Sequence, residues 1–141
     1  VERFGVSMER DLLVQLDALA AERGYPSRSE VLRDLVRAEL VARQWEDPRA
    51  EVVGTVTIVY AHESHDLAHT LADLQHCHHQ EIVCNTHVHL NEANCLEVVI
   101  VRGASKRVRE IADTLISTRG VKHGRLVCTT TGNSRPSPGK A

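Results

Sequence analysis

Residues 75–95 read QHCHHQEIVCNTHVHLNEANC and hold five of the nine histidines in the chain. Taken as a strand, Ile82–Asn91 sends successive side chains to opposite faces. Ile82, Cys84, Thr86, Val88 and Leu90 share the apolar side and are expected to face a core. Val83, Asn85, His87, His89 and Asn91 share the other. A turn at Asn91–Asn94 predicts a hairpin with a second strand, Cys95–Val101. If Cys95 pairs opposite His89, a thiolate and two imidazoles converge across roughly 5 Å. That ligand set suits nickel, copper, cobalt or zinc, and not calcium or magnesium. A register shifted by one residue would instead put Cys95 on the side of Leu90. Leu96, Val98 and Ile100, as partners for the apolar side, favour the first register. It also sets Glu97 opposite His87, where it could orient the site.

Working outward, Val52–Tyr60 is apolar and β-branched and reads as a strand. Asp66–Cys77 reads as a helix, with Leu67, Leu71 and Leu74 on one side. Lys106–Thr118 is a second helix, with Val108, Ile111, Ala112, Leu115 and Ile116 inward. Gly120 stops it, and Val121–Thr130 returns as a strand. The order βαββαβ is that of the ferredoxin-like unit, an antiparallel sheet with both helices on one face. The apolar side of Ile82–Leu90 is expected under those helices. His87 and His89 are then expected on the open side of the sheet, available to another subunit.

The first fifty residues carry no histidine and no cysteine, which marks a separate module. Arg3-Phe4-Gly5-Val6-Ser7-Met8 alternates polar and apolar. One such strand is unstable alone, so its partner is expected from another subunit. Leu12, Leu13, Leu16, Leu19 and Ala20 follow at helical spacing, ended by Gly24-Tyr25-Pro26. Ser27-Arg28-Ser29-Glu30 is a capping box that opens a second helix, with Val31, Leu32, Leu35, Val36 and Leu40 as its stripe. Strand, helix, helix is the order of a ribbon–helix–helix dimer, whose two-stranded ribbon enters the DNA major groove. Arg3, Gly5 and Ser7 would face base edges. Ser27 and Arg28, at a helix start, could hold a backbone phosphate. Asp47-Pro48 ends the helical pattern. The expected division is 1–47 for this module, 48–51 for a linker, 52–131 for the second domain and 132–141 for a disordered tail.

Composition narrows the function classes. The net charge of −2, with eight Arg against ten Asp or Glu in the first fifty residues, excludes a strongly basic nucleic-acid binder but not one with a local basic edge. No run of eighteen apolar residues predicts a membrane span. No secretory leader is visible, so Cys77, Cys84, Cys95 and Cys128 are expected as reduced thiols in a cytoplasm. Aromatic residues make up only 3% of the chain, and a small core short of them is often completed by oligomerisation.

The hairpin supplies three metal ligands, whereas a structural zinc site wants four. His76, His78 and His79, at the end of the preceding helix, are candidates for the fourth. His62, His65, His69 and His123 are expected at the surface. A hydrolase would need further acids or histidines after His-x-His, but Leu90-Asn91 follows. There is no Ser/His/Asp or Cys/His nucleophile pair with a plausible base, so an enzyme is not expected. A metal-buffering or small-ligand oligomer that binds no DNA is the competing reading.

The segments RFGVSMERDLL, RGYPSRSEVLRDLVR, QHCHH, THVHLNEANCLEVV and RGVKHGRL together resemble the nickel-responsive transcriptional regulators, over residues 1 to about 130. The resemblance implies an α+β chain: an N-terminal ribbon–helix–helix (βαα) domain and a C-terminal ferredoxin-like, ACT-like βαββαβ domain. It implies a homotetramer, a dimer of dimers, that binds operator DNA as a repressor and takes no small-molecule substrate. It implies one Ni(II) per subunit in a square plane of three nitrogens and one sulfur. His87, His89 and Cys95 would come from one subunit and His76 from the facing one. Glu30 and Asp34 match positions that hold a second cation between the domains. Gly5 stands where some members carry a hydroxyl residue for base contact.

Overall fold

The computed structural model describes residues 1–133 and, within them, every side chain but that of His65. The expected tail lies outside the described residues from 134 onward. The chain divides into two compact units, Val1–Leu40 and Val41 onward.

The first unit holds helix α1 (Arg10–Glu22) and the first turns of α2 (Arg28–Glu46). Gly24 ends the reach of α1 at φ 70°, a left-handed conformation that costs glycine little. There the Gly24 and Tyr25 amides donate to the carbonyls of Ala21 (3.2 Å) and Ala20 (2.8 Å), the paired bonds of a Schellman cap. At the start of α2 the Glu30 amide donates to Ser27 Oγ at 3.3 Å. The Glu30 carboxylate turns forward to Arg33 at 2.7 Å, so the capping box closes on one side. Residues 1–9 form no strand within the single chain. Leu16 and Val31 are buried, yet Phe4, Leu12, Leu35, Val36 and Leu40 stay exposed. This unit therefore leaves apolar side chains on its surface.

The second unit is built from β1 (Glu51–Ala61), α3 (His65–Cys77), β2 (Ile82–His89), β3 (Asn94–Ala104), α4 (Ser105–Ser117) and β4 (Val121–Thr129). The strands form one antiparallel sheet in the order β2-β3-β1-β4. Val52, Val56, Ile58 and Tyr60 of β1 and Cys95, Val99 and Val101 of β3 share a buried cluster with Leu67 and Leu71 of α3 and Val108, Ile111 and Leu115 of α4. Trp45, in the last turn of α2, closes one end of this core. Its indole N–H donates to the Thr129 carbonyl at 2.8 Å. Gly54 makes room for it: a Cβ there would meet Leu126 at 2.7 Å and Trp45 at 3.2 Å.

The hairpin register is the expected one. His89 pairs with Cys95 and His87 with Glu97. The face assignment is reversed. Tyr60 pairs with Cys95 and Val56 with Val99, so the side of the sheet carrying Cys95, His87 and His89 is the side under the helices. Most of the apolar set expected in the core lies on the opposite face: Val88 and Leu90 are exposed, and Leu96, Val98 and Ile100 are half-buried; Ile82, before a register shift, packs against the core as expected. The reason lies in β1 and not in the hairpin. The Val52, Val56, Ile58 and Tyr60 side of β1 is apolar throughout and meets the stripes of α3 and α4, while its other side carries Glu51, Thr55 and Thr57. β2 is an edge strand whose residues from Val83 to His89 are all exposed, so its own alternation does not choose the helix side.

Candidate metal centre

The centre forms where the helix layer thins over the edge strand. Tyr60 and His62 come from β1 and the residue beyond its end, His87 and His89 from β2, Cys95 and Glu97 from β3. The ladder continues past β1, with the His62 amide donating to the Ala93 carbonyl at 2.8 Å. Alternation therefore places His62 on the same face as Tyr60.

Cys95 is 1% exposed, beneath two exposed imidazoles. Its Sγ lies 3.5 Å from His89 Nδ1 and 3.3 Å from His62 Nδ1. The His87 and His89 rings stand edge to face with centroids 4.9 Å apart. A buried sulfur with imidazole nitrogens around it is a donor set for a borderline or soft cation, and nickel fits it.

A hydrogen-bonded carboxylate holds the floor. Glu97, 4% exposed, accepts from Gln75 Nε2 at 2.6 Å, Asn85 Nδ2 at 2.8 Å and the Tyr60 hydroxyl at 3.2 Å. The Tyr60 oxygen also lies 3.1 Å from His87 Nδ1. Burial, and then the neighbouring Glu97 charge, raise the Tyr60 phenol well above its ordinary pKa, so it keeps its proton. Gln75 directly precedes His76 in the last turn of α3, so one carboxylate joins that helix to the hairpin.

His76 is exposed and lines a groove of about 460 Å³ together with His79, His87 and Asn85. It does not join the cluster of donor atoms lying within 4.8 Å of one another, which is made by His62, His89 and Cys95. His62, expected at the surface, thus stands closer to the sulfur than any other described histidine. With Tyr60, Gln75 and Asn85, it was not among the expected site residues. The signal was present: pairing β1 with β3 so that Tyr60 meets Cys95 brings His62 to the sulfur. That pairing belongs to strands far apart in sequence.

The expected DNA-facing residues Arg3, Gly5 and Ser7 are exposed. Arg28 makes a two-pronged pair with Asp17 at 2.6 and 2.7 Å, and Ser27 serves as the helix cap. Asp34 accepts from Tyr25 and Arg37, and Glu30 pairs with Arg33, so both carboxylates proposed for a second cation have partners within the first unit.

Two family descriptions match the chain: a ribbon–helix–helix protein family over residues 2–43, and the NikR C-terminal nickel-binding domain over residues 53–129. The chain belongs to the nickel-responsive regulator family. Within that family it is 54% identical over 132 residues to a provisionally named nickel-responsive regulator of Solibacter usitatus, covering 94% of this chain and 95% of that one. It is 54% identical over 130 residues to another from Geobacter metallireducens, covering 92% and 94%. A third, from Thermococcus kodakarensis, is 52% identical over 130 residues, with 92% and 94% covered. Among solved structures, an uncharacterized Thermotoga maritima protein, TM1266, shares the fold at 14% identity. Its TM-score is 0.51, over 57% of this chain and 99% of that one. The matched nickel-binding region holds Tyr60, His62, Gln75, His76, Asn85, His87, His89, Cys95 and Glu97.

Proposed function

We propose that this regulator binds operator DNA in response to Ni(II) held at a subunit boundary, by His87, His89 and Cys95 of one protomer and His76 of a facing one. The observation that carries the reading is the pairing of His89 with Cys95 on a face that also presents His87. When bound, Ni(II) supplies a preference for four nitrogen and sulfur donors in one plane. The protomer supplies the remaining chemistry. Tyr60 and Glu97 orient His87, and Cys95 gives up its thiol proton as it becomes a ligand.

Two unpartnered apolar faces support assembly into a homotetramer. One is the helix surface of the first unit. The other is the open sheet face with Val88, Leu96, Val98 and Val127. A donor taken from across a boundary favours the assembly that presents it, by as much as metal affinity differs between arrangements; tenfold is about 1.4 kcal/mol. In that assembly paired ribbons would carry Arg3, Gly5 and Ser7 to the major groove as a metal-dependent repressor, with Ser27 and Arg28 near the phosphates. A second cation at Glu30 and Asp34 would require their present partners to let go.

The test is a gel-shift with operator-containing DNA, with and without nickel, on the wild type and Cys95→Ala. The wild type should be retained only with nickel, and the variant in neither case. Nickel-dependent retention by the variant, or metal-independent retention by the wild type, would count against the proposal.

A further inference from the structure

Arg28, the first residue of α2, is sent toward a DNA phosphate by the reading above, yet its guanidinium is already engaged. Its Nε and Nη2 donate to the two carboxylate oxygens of Asp17 at 2.6 and 2.7 Å. This pair joins α1 to α2, whereas Arg33 with Glu30 and Arg37 with Asp34 each close within α2. Two parallel N–H bonds to one anion are also how arginine holds a phosphate. The Arg28 and Asp17 side chains are 55% and 48% exposed, so both remain within reach of an approaching DNA backbone. We propose that Asp17 occupies Arg28 in place of a DNA phosphate, and that DNA binding exchanges the carboxylate for the phosphate.

An exposed ion pair contributes little to stability, so parting it costs little. What the exchange changes is the ion count. An unpaired arginine that reaches a phosphate releases about one condensed cation from the duplex. Arg28 instead brings its own anion, and Asp17, once left, draws a cation from solution. The exchange therefore adds almost nothing to the salt dependence and little to the affinity. Phosphate contacts supply the sequence-independent part of binding, and Asp17 holds that part down. Retention on DNA then depends more on base contacts and on the metal. The inference rests on the first unit being the DNA-binding part and on Arg28 reaching a phosphate.

The test is a set of gel-shifts over a salt series on the full-length protein with nickel, using operator-containing DNA and a random-sequence duplex. Asp17→Asn removes the charge and keeps the shape. It should tighten binding to both duplexes a few-fold at low salt. It should also steepen the slope of log affinity against log salt by about 0.9 for each Arg28 that reaches a phosphate. Asp17→Ser should do the same. Combining Asp17→Asn with Arg28→Ala should lose both gains. An unchanged slope, weaker binding, or a gain that survives Arg28→Ala overturns the inference. So does loss of the fold in both Asp17 variants, which would make the pair a structural clasp. A wild type that retains neither duplex would instead overturn the DNA reading, so the two failures are distinguishable.

Discussion

The Tyr60 hydroxyl donates to Glu97 at 3.2 Å, and this bond decides which nitrogen of His87 is free. A phenol has one proton to give. With that proton on the carboxylate, the oxygen can only accept from His87 Nδ1, 3.1 Å away. His87 then carries its proton on Nδ1 and presents Nε2 to a metal, the usual way an outer hydrogen bond fixes a ligand tautomer.

Tyr60→Phe should therefore keep the fold but lower nickel affinity by roughly 10- to 100-fold. A competition titration against a chelator measures it. Wild-type affinity in the variant would show that His87 needs no such anchor.

Acid should weaken nickel binding, because protons and metal compete for the same sulfur and ring nitrogens. The apparent Kd should rise steadily as pH falls from neutral to mildly acid, and a pH-independent Kd over that range would contradict ligation by a thiolate and neutral imidazoles.

Much of this was legible in the sequence. Alternation along Val83–His89 placed His87 and His89 together, and the apolar partners of the hairpin gave its register. The S-x-x-E start of α2 and the Gly24-Tyr25-Pro26 stop of α1 marked their helix ends through local backbone chemistry. The side of the sheet is not legible from the hairpin alone, because the apolar face of an edge strand need not pack on its own helices. Here that face is left open while the polar face lies beside them, and β1 carries the hint, with Val52, Val56, Ile58 and Tyr60 on one side and Thr55 and Thr57 on the other. His62 and Gln75 were missed because what brings them to the site is tertiary: a β1–β3 ladder and the seating of α3 over β3.

Gly54→Ala should destabilise the second unit by about 1–3 kcal/mol, since the new methyl must push on Leu126 and Trp45. Urea unfolding followed by Trp45 fluorescence reads this. An unchanged midpoint would mean that the core beside Trp45 has slack.

Arg3→Ala should weaken DNA binding and make it less salt-dependent, while leaving nickel affinity as in the wild type, because Arg3 lies in the ribbon–helix–helix match and the proposed nickel ligands lie in the separate nickel-binding match. Gel-shifts over a salt series and a nickel titration test both halves. Parallel loss of DNA and nickel binding would speak against that separation.

The most direct test of the central claim is complementation between subunits. His76→Ala and Cys95→Ala chains, each unable to hold nickel in the planar site, are unfolded together and refolded as a mixture. If His76 completes the site from across a boundary, mixed assemblies contain some intact sites, and the planar nickel spectrum returns in the mixture. If all four ligands come from one chain, every site lacks a donor and the mixture stays as inert as either variant alone.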